Sequence, residues 1–162
     1  MKRLLFVLIM FCNIMFVNAQ NGHWISSLKY GGTNLIYSMD KDGDFVHVSV
    51  VYNIQDGDFS IIYSISALGV WSKNSKTVNI TYKEEPMIIL SDYSFGEDKK
   101  ELEKALKSDK EKEKMWFDSL IESHKANMQE NINMFKSFEI TKKSGKTMEI
   151  FVGGGYLTFT KM

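Results

Sequence analysis

The chain has 162 residues, 20 basic and 20 acidic, with one cysteine and one proline. That balance offers no electrostatic case for nucleic acid or an anionic membrane surface, and a single cysteine excludes an internal disulfide framework. The length suits one domain with a substantial core.

At the N-terminus, Lys2 and Arg3 precede an apolar run from Leu4 to Val17 broken only by Asn13. Val17-Asn18-Ala19 then supplies the small residues read by a signal peptidase. The run is about 14 residues, short of the roughly 20 that span a bilayer. The expectation is a cleaved signal peptide over residues 1–19 and an exported single domain over 20–162, beginning at Gln20, with no membrane span. Cleavage would remove Cys12 and two basic residues, leaving a thiol-free chain about two charges negative.

Two stretches then repeat: "DGDFVHVSVVYNI" from Asp42 and "DGDFSIIYSISAL" from Asp56. Asp-Gly predicts hairpin turns of the I′ type, and each is followed by strict alternation. Val46, Val48, Val50, Tyr52 and Ile54 share one face; Phe59, Ile61, Tyr63, Ile65 and Ala67 share another. Flanking pieces continue the pattern: 24–30, 34–39, 78–82, 87–90, 138–142, 147–152 and 156–161, with Gly153-Gly154-Gly155 read as a kink or bulge. Eight or so short antiparallel strands at regular spacing predict a mainly β fold, a barrel or sandwich.

Residues 97–135 carry the other period. Phe117, Ile121, His124, Met128, Ile132 and Phe135 step by three or four and form one apolar stripe; Leu102 and Leu106 form a shorter one. One straight helix over this span would be about 58 Å long at about 1.5 Å per residue. A domain of this size has a radius of gyration near about 15 Å. A break is therefore expected near Ser108, where Ser108-x-x-Glu111 resembles a capping box. The stripe needs an apolar partner, so the insert is expected to cover an end or side of the barrel, with Lys125 and Glu130 facing water and a short first helix strapped down by Leu102 and Leu106.

Gly22-His23-Trp24 opens the expected mature chain, and Gly69-Val70-Trp71 follows the second repeat. The first triplet resembles the G-x-W signature that opens lipocalins, where the Trp closes the barrel floor. The whole order, from G-x-W through D-G-x-F hairpins to a second G-x-W and a last strand LTFTK at Leu157 to Lys161, resembles small secreted lipocalin-like proteins of Gram-negative bacteria, some with a helical insert before the final strands. The resemblance implies an up-and-down antiparallel barrel of about eight strands and a periplasmic or extracellular location. It also implies barrel-closing roles for Gly22, Trp24, Gly69, Trp71 and Lys161. Larger lipocalins place an Arg over the Trp; here the available cation is Lys161. Ser91-Asp92-Tyr93 matches the second lipocalin motif loosely.

No catalytic or metal constellation stands out. Asp40-x-Asp42-x-Asp44 lacks the Glu a calcium loop needs at its twelfth position, which is Val51. His23, His47 and His124 are scattered; His47 is expected in solvent and His124 in the core. No nucleophile elbow or phosphate loop is present. The functional expectation is a non-enzymatic protein without cofactor or metal. It would bind a small apolar ligand, with Phe117, Ile121, Met128, Ile132 and Phe135 as ligand or lid contacts and Met115, Met128 and Met134 as adaptable surface. The alternative is an envelope protein–protein interaction module with a filled barrel and the helical insert as docking surface.

Overall fold

The computed structural model describes residues 22–27, 34–40 and 42–162, so the expected signal segment and its cleavage site lie outside the described residues. Among these residues the strands are β1 Gly22–Ser27, β2 Asn34–Met39, β3 Val46–Asp56, β4 Phe59–Asn74, β5 Thr77–Tyr82, β6 Met87–Ser94, β7 Ser137–Lys143, β8 Thr147–Val152 and β9 Gly155–Lys161. Between β6 and β7 lie the helices α1 Lys100–Ser108, α2 Lys110–Ile121 and α3 Lys125–Asn133, with 3-10 turns at Glu97–Lys99, Glu122–His124 and Met134–Lys136.

Alternation decides the architecture. Each strand has one apolar face to bury, and a sheet that closes on itself buries all of them without leaving an edge. Eight strands close in the order β3-β2-β1-β9-β8-β7-β5-β4, with β4 returning to β3 through a register that runs from Val46–Gly69 to Asp56–Phe59. The fold is a closed eight-stranded antiparallel barrel with one extra strand and a helical insert before its last strands. The extra strand is β6, which pairs with the Ser60–Ser66 part of β4 outside the ring.

β4 is longer than its alternation suggests. It continues past Ala67 through Gly69 to Asn74, and its edge changes partner on the way: Ser60–Ser66 takes β6, Gly69–Asn74 takes β5. Gly69 makes the change possible, because a Cβ there would lie 2.4 Å from the Thr81 carbonyl oxygen.

The two Asp-Gly repeats do not make the same turn. Asp56 pairs with Phe59, leaving Gly57-Asp58 as a two-residue loop in which Gly57 alone has positive φ, 57°. Type I′ would need positive φ at both positions, so the arrangement is that of type II′. The first repeat sits in a wider loop between paired Met39 and Val46. There the Asp40 carboxylate accepts from the Gly43 N–H at 3.1 Å. The triple glycine also differs from expectation: Gly153 and Gly154, both at positive φ, form the loop of the β8–β9 hairpin rather than a kink.

The helical insert breaks where expected, but one residue later in its cap. Ser108 is still helical and its hydroxyl donates to the Ala105 carbonyl at 2.9 Å. Asp109 leaves the helical region, and its carboxylate accepts from the Lys112 N–H at 3.2 Å. The second part is not one continuous α-helix. The turn at Glu122–His124 winds more tightly and swings His124 out to solvent, against the expectation of a packed histidine. Of the expected strap residues, Leu106 is buried at 7 % exposure while Leu102 is 47 % exposed; α1 is also fastened by the Glu103 carboxylate, which accepts from the Phe95 N–H at 2.9 Å.

The insert lies beside a short seam of the wall. β5 and β7 pair through three residues, Thr77, Val78 and Asn79 against Glu139, Phe138 and Ser137. Beside that seam the Tyr82 hydroxyl donates to the Ile132 carbonyl at 2.7 Å, and the Ser137 hydroxyl donates to Asn79 Oδ1 at 2.9 Å. Lys136 Nζ sits 5.5 Å from the Tyr82 ring centre. The helical stripe and the inner strand faces consequently share one hydrophobic core. Lys–Glu and Lys–Asp pairs at helical spacing, such as Lys107–Glu103 and Lys125–Glu122, cover the solvent faces of the helices.

Candidate functional site

Two regions of the interior carry polar chemistry inside apolar walls. The first lies under the helical cover. Leu35, Tyr37 and Met39 of β2 face inward and are buried. β2 and β7 stand four places apart in a ring of eight, so Tyr37 and Phe138 come from opposite walls. Their rings meet edge-on with centroids 5.5 Å apart, and Tyr37 also meets Phe159 at 6.3 Å. The Tyr37 hydroxyl is buried and has no hydrogen-bond partner among the described residues. Burial first, and nearby Tyr82 second, push its pKa well above the ordinary tyrosine value.

All five stripe residues, Phe117, Ile121, Met128, Ile132 and Phe135, are buried in the same core. Phe117 meets the Tyr63 ring at 5.8 Å, Tyr63 stacks on Tyr52 at 5.0 Å, and Asn131 Nδ2 donates to the Tyr52 hydroxyl at 3.2 Å. Met115 and Met134, expected as adaptable contacts, are exposed; only Met128 of that set faces the core. Sequence reasoning missed Trp116. It closes an aromatic cluster with Tyr93 at 4.7 Å and Phe95 at 5.7 Å, and Phe95 in turn meets Phe59 at 5.2 Å. Tyr93, in the loosely matched Ser91-Asp92-Tyr93 motif, donates its hydroxyl to Glu113 at 3.0 Å. Its pKa is pushed up to about 12, by burial first and by the Glu113 carboxylate second.

The second region is the end of the barrel away from the insert, and it adjoins the first, since Trp24 stands opposite Tyr37 in register. β7 leaves the insert at Ser137 and reaches this end at Lys143. Trp24 is fully buried and pairs in register with Lys161, whose Nζ lies 5.7 Å from the indole centre. Gly22, at φ 120°, lets the Lys161 side chain cross: a Cβ on Gly22 would lie 2.8 Å from its Cε. Trp71 is only half-buried, and its indole N–H donates to Asp40 Oδ1 at 3.0 Å. It fastens the β2–β3 loop to β4, together with the Trp71 N–H donating to the Gly43 carbonyl at 2.9 Å.

A bulge brings a further residue to this end. The β7–β8 register slips between Ile140 and Lys142, so Lys143, not Lys142, stands opposite inward-facing Met148. Lys142 turns outward toward Glu149 at 3.5 Å. The Lys143 ammonium is buried without a hydrogen-bond partner among the described residues. Its pKa is lowered to about 8, by burial first and then by Lys73 and Lys161. Plain alternation assigns Lys142 to the inside, so only the register reveals Lys143.

Of the histidines, His23 and His124 are exposed, while His47 is half-buried, contrary to the expectation of a solvated ring, and burial lowers its pKa. Among the described residues no three His, Cys, Asp or Glu side chains group as metal ligands, and no helix is long and apolar enough to cross a membrane. Comparison with family models, with curated proteins and with solved structures finds no match to this chain.

Proposed function

We propose that the chain is an exported, non-enzymatic, lipocalin-like binding protein that holds one small, mainly apolar molecule beneath the helical cover. The observation that carries this reading is the Tyr37 hydroxyl, buried inside an apolar barrel with no hydrogen-bond partner among the described residues. An unsatisfied buried hydroxyl costs about 1–3 kcal/mol, and a ligand with one polar atom would satisfy it while its apolar body meets the aromatic wall. Lys161 over Trp24 supports the lipocalin comparison, with lysine in the place of the expected arginine. The helical stripe supports a cover, since it is the one inward wall not made of strands.

Native mass spectrometry of the protein exported by its own host tests the proposal. The expected result is a mass above that of the polypeptide, lost on organic extraction and reduced in a Tyr37→Phe variant. A bare polypeptide mass would overturn it. The Tyr37–Phe138 contact favours a second reading, in which side chains fill the barrel waist and the insert docks a protein partner from its outer faces. The bare mass is the outcome that reading expects.

A further inference from the structure

We propose that the Trp24 end of the barrel is an anion-binding site that takes a phosphate group, with Lys143 and Lys161 as its principal contacts and Lys73 adding charge. Strand register carries the geometry. On β9 the inward positions are Leu157, Phe159 and Lys161; on β4 they run through Gly69, Trp71 and Lys73; on β7 the bulge selects Lys143. Three lysines from three strands therefore reach one end of one barrel, with the Lys143 ammonium buried, Lys73 half-buried and Lys161 exposed over Trp24.

Lys143 makes the arrangement more than a basic surface. Its ammonium is out of contact with solvent and has no acceptor among the described residues. Burying an unpaired charge is unfavourable. The nearest charges that act on it are cations, which raise that cost further. Neither Lys143 nor Lys161 lies within ion-pair distance of a carboxylate among the described residues, whereas Lys142, one position away on the outer face, reaches Glu149.

The acids nearest this end sit in the β2–β3 loop. Asp40 is committed to Trp71 and Gly43, and Asp42 and Asp44 are exposed. His23 hydrogen-bonds to Ser38 at 2.8 Å. A dianion entering among three lysines would supply the missing acceptor and offset the mutual repulsion. Lysine binds phosphate as a compact point charge. The site lies at the end of β7 away from the insert and rests on different residues from the proposed ligand contact at Tyr37, which stands opposite Trp24 in register.

The test is titration of the full exported chain with inorganic phosphate at pH 7, followed by ¹⁵N NMR of the lysine ammonium groups and the tryptophan indoles. Sodium chloride at matched ionic strength, sodium acetate and methyl phosphate serve as parallel arms. The expected result is a saturable shift at Lys143 and Trp24 with phosphate, a weaker one with acetate and none with chloride. Methyl phosphate equal to or tighter than phosphate assigns the ligand to an ester; weaker assigns it to the free ion. Lys143→Met should weaken phosphate at least tenfold, and Lys142→Met should leave it unchanged. An equal shift with chloride, an unaltered affinity in Lys143→Met, or no saturable shift in the native chain would each overturn the proposal. Should Lys143→Met fail to fold, Lys161→Met and the native titration decide the question.

Discussion

Trp24 and Gly69 show how single positions hold the barrel. Trp24 is fully buried, and its ring is crossed by Lys161 on the paired strand. Trp24→Ala leaves a large void beside Tyr37 and beneath Lys161 and should cost about 3–5 kcal/mol in urea denaturation. Gly69 acts through its missing side chain. With the Thr81 carbonyl 2.4 Å from where a Cβ would sit, the two backbones must part, and backbone yields less readily than a side-chain tip. Gly69→Ala should cost about 1–3 kcal/mol, again read from the urea midpoint. A loss below about 0.5 kcal/mol would mean β4 can change partners without this close approach.

Among the elements, the insert depends on two devices, a cap and a stripe. The cap belongs to Asp109, whose carboxylate accepts from the Lys112 N–H; Ser108 spends its hydroxyl on Ala105. Asp109→Ala should therefore destabilise the chain by about 1 kcal/mol, whereas Ser108→Ala should change it by less than about 0.5 kcal/mol. The reverse order would assign the cap to Ser108. The stripe joins the insert to the barrel through Phe117 and Ile121, both buried, with Phe117 against Tyr63. Replacing both with Asp should detach α2 and expose apolar surface while the strand ladders persist. The expected signature is increased binding of an apolar fluorescent dye with the β-sheet circular dichroism retained. Unchanged dye binding would show that α2 does not seal the interior.

The pH dependence of the whole molecule follows from groups spread over its core and cover. Lys73 and Lys143 have folded pKa values lowered by burial, Lys143 to about 8 against an unfolded value near about 10.4. The native state binds fewer protons than the unfolded chain in that window, so stability rises between about pH 8 and pH 10. Tyr37, Tyr82 and Tyr93 are shifted upward, each by burial first. They keep protons that the unfolded chain releases above about pH 10, so stability falls there. Asp109, Glu103 and Glu113 are lowered by hydrogen bonds from lysines or backbone N–H groups, so their contribution is lost as pH falls through about 4. Urea midpoints should be higher at pH 9.5 than at 7.5 and lower at 11.5, and Lys143→Met should shrink the first rise. A flat profile from 7.5 to 9.5 would show that the Lys143 ammonium is solvated.

Strand positions, the site of the helical insert and its break near Ser108 were legible because they rest on local periods: two for Val46, Val48 and Val50, three to four for Met128, Ile132 and Phe135. So was the burial of Trp24, a large apolar ring in an inward-facing register. Tertiary structure alone decided how those strands face each other. The slip between Ile140 and Lys142 turns Lys143 inward, and nothing in the run SFEITKK marks it. β6 leaves the ring because β4 changes partner at Gly69, where the missing side chain matters only once β5 is laid against it. His124 falls on the stripe by count but faces solvent because a tighter turn shifts the helical phase. The first two share a physical reason. A period is a property of neighbouring residues, whereas register is set by hydrogen bonds between distant segments. With side chains alternating every residue, a slip of one sends a lysine from the solvent into the core.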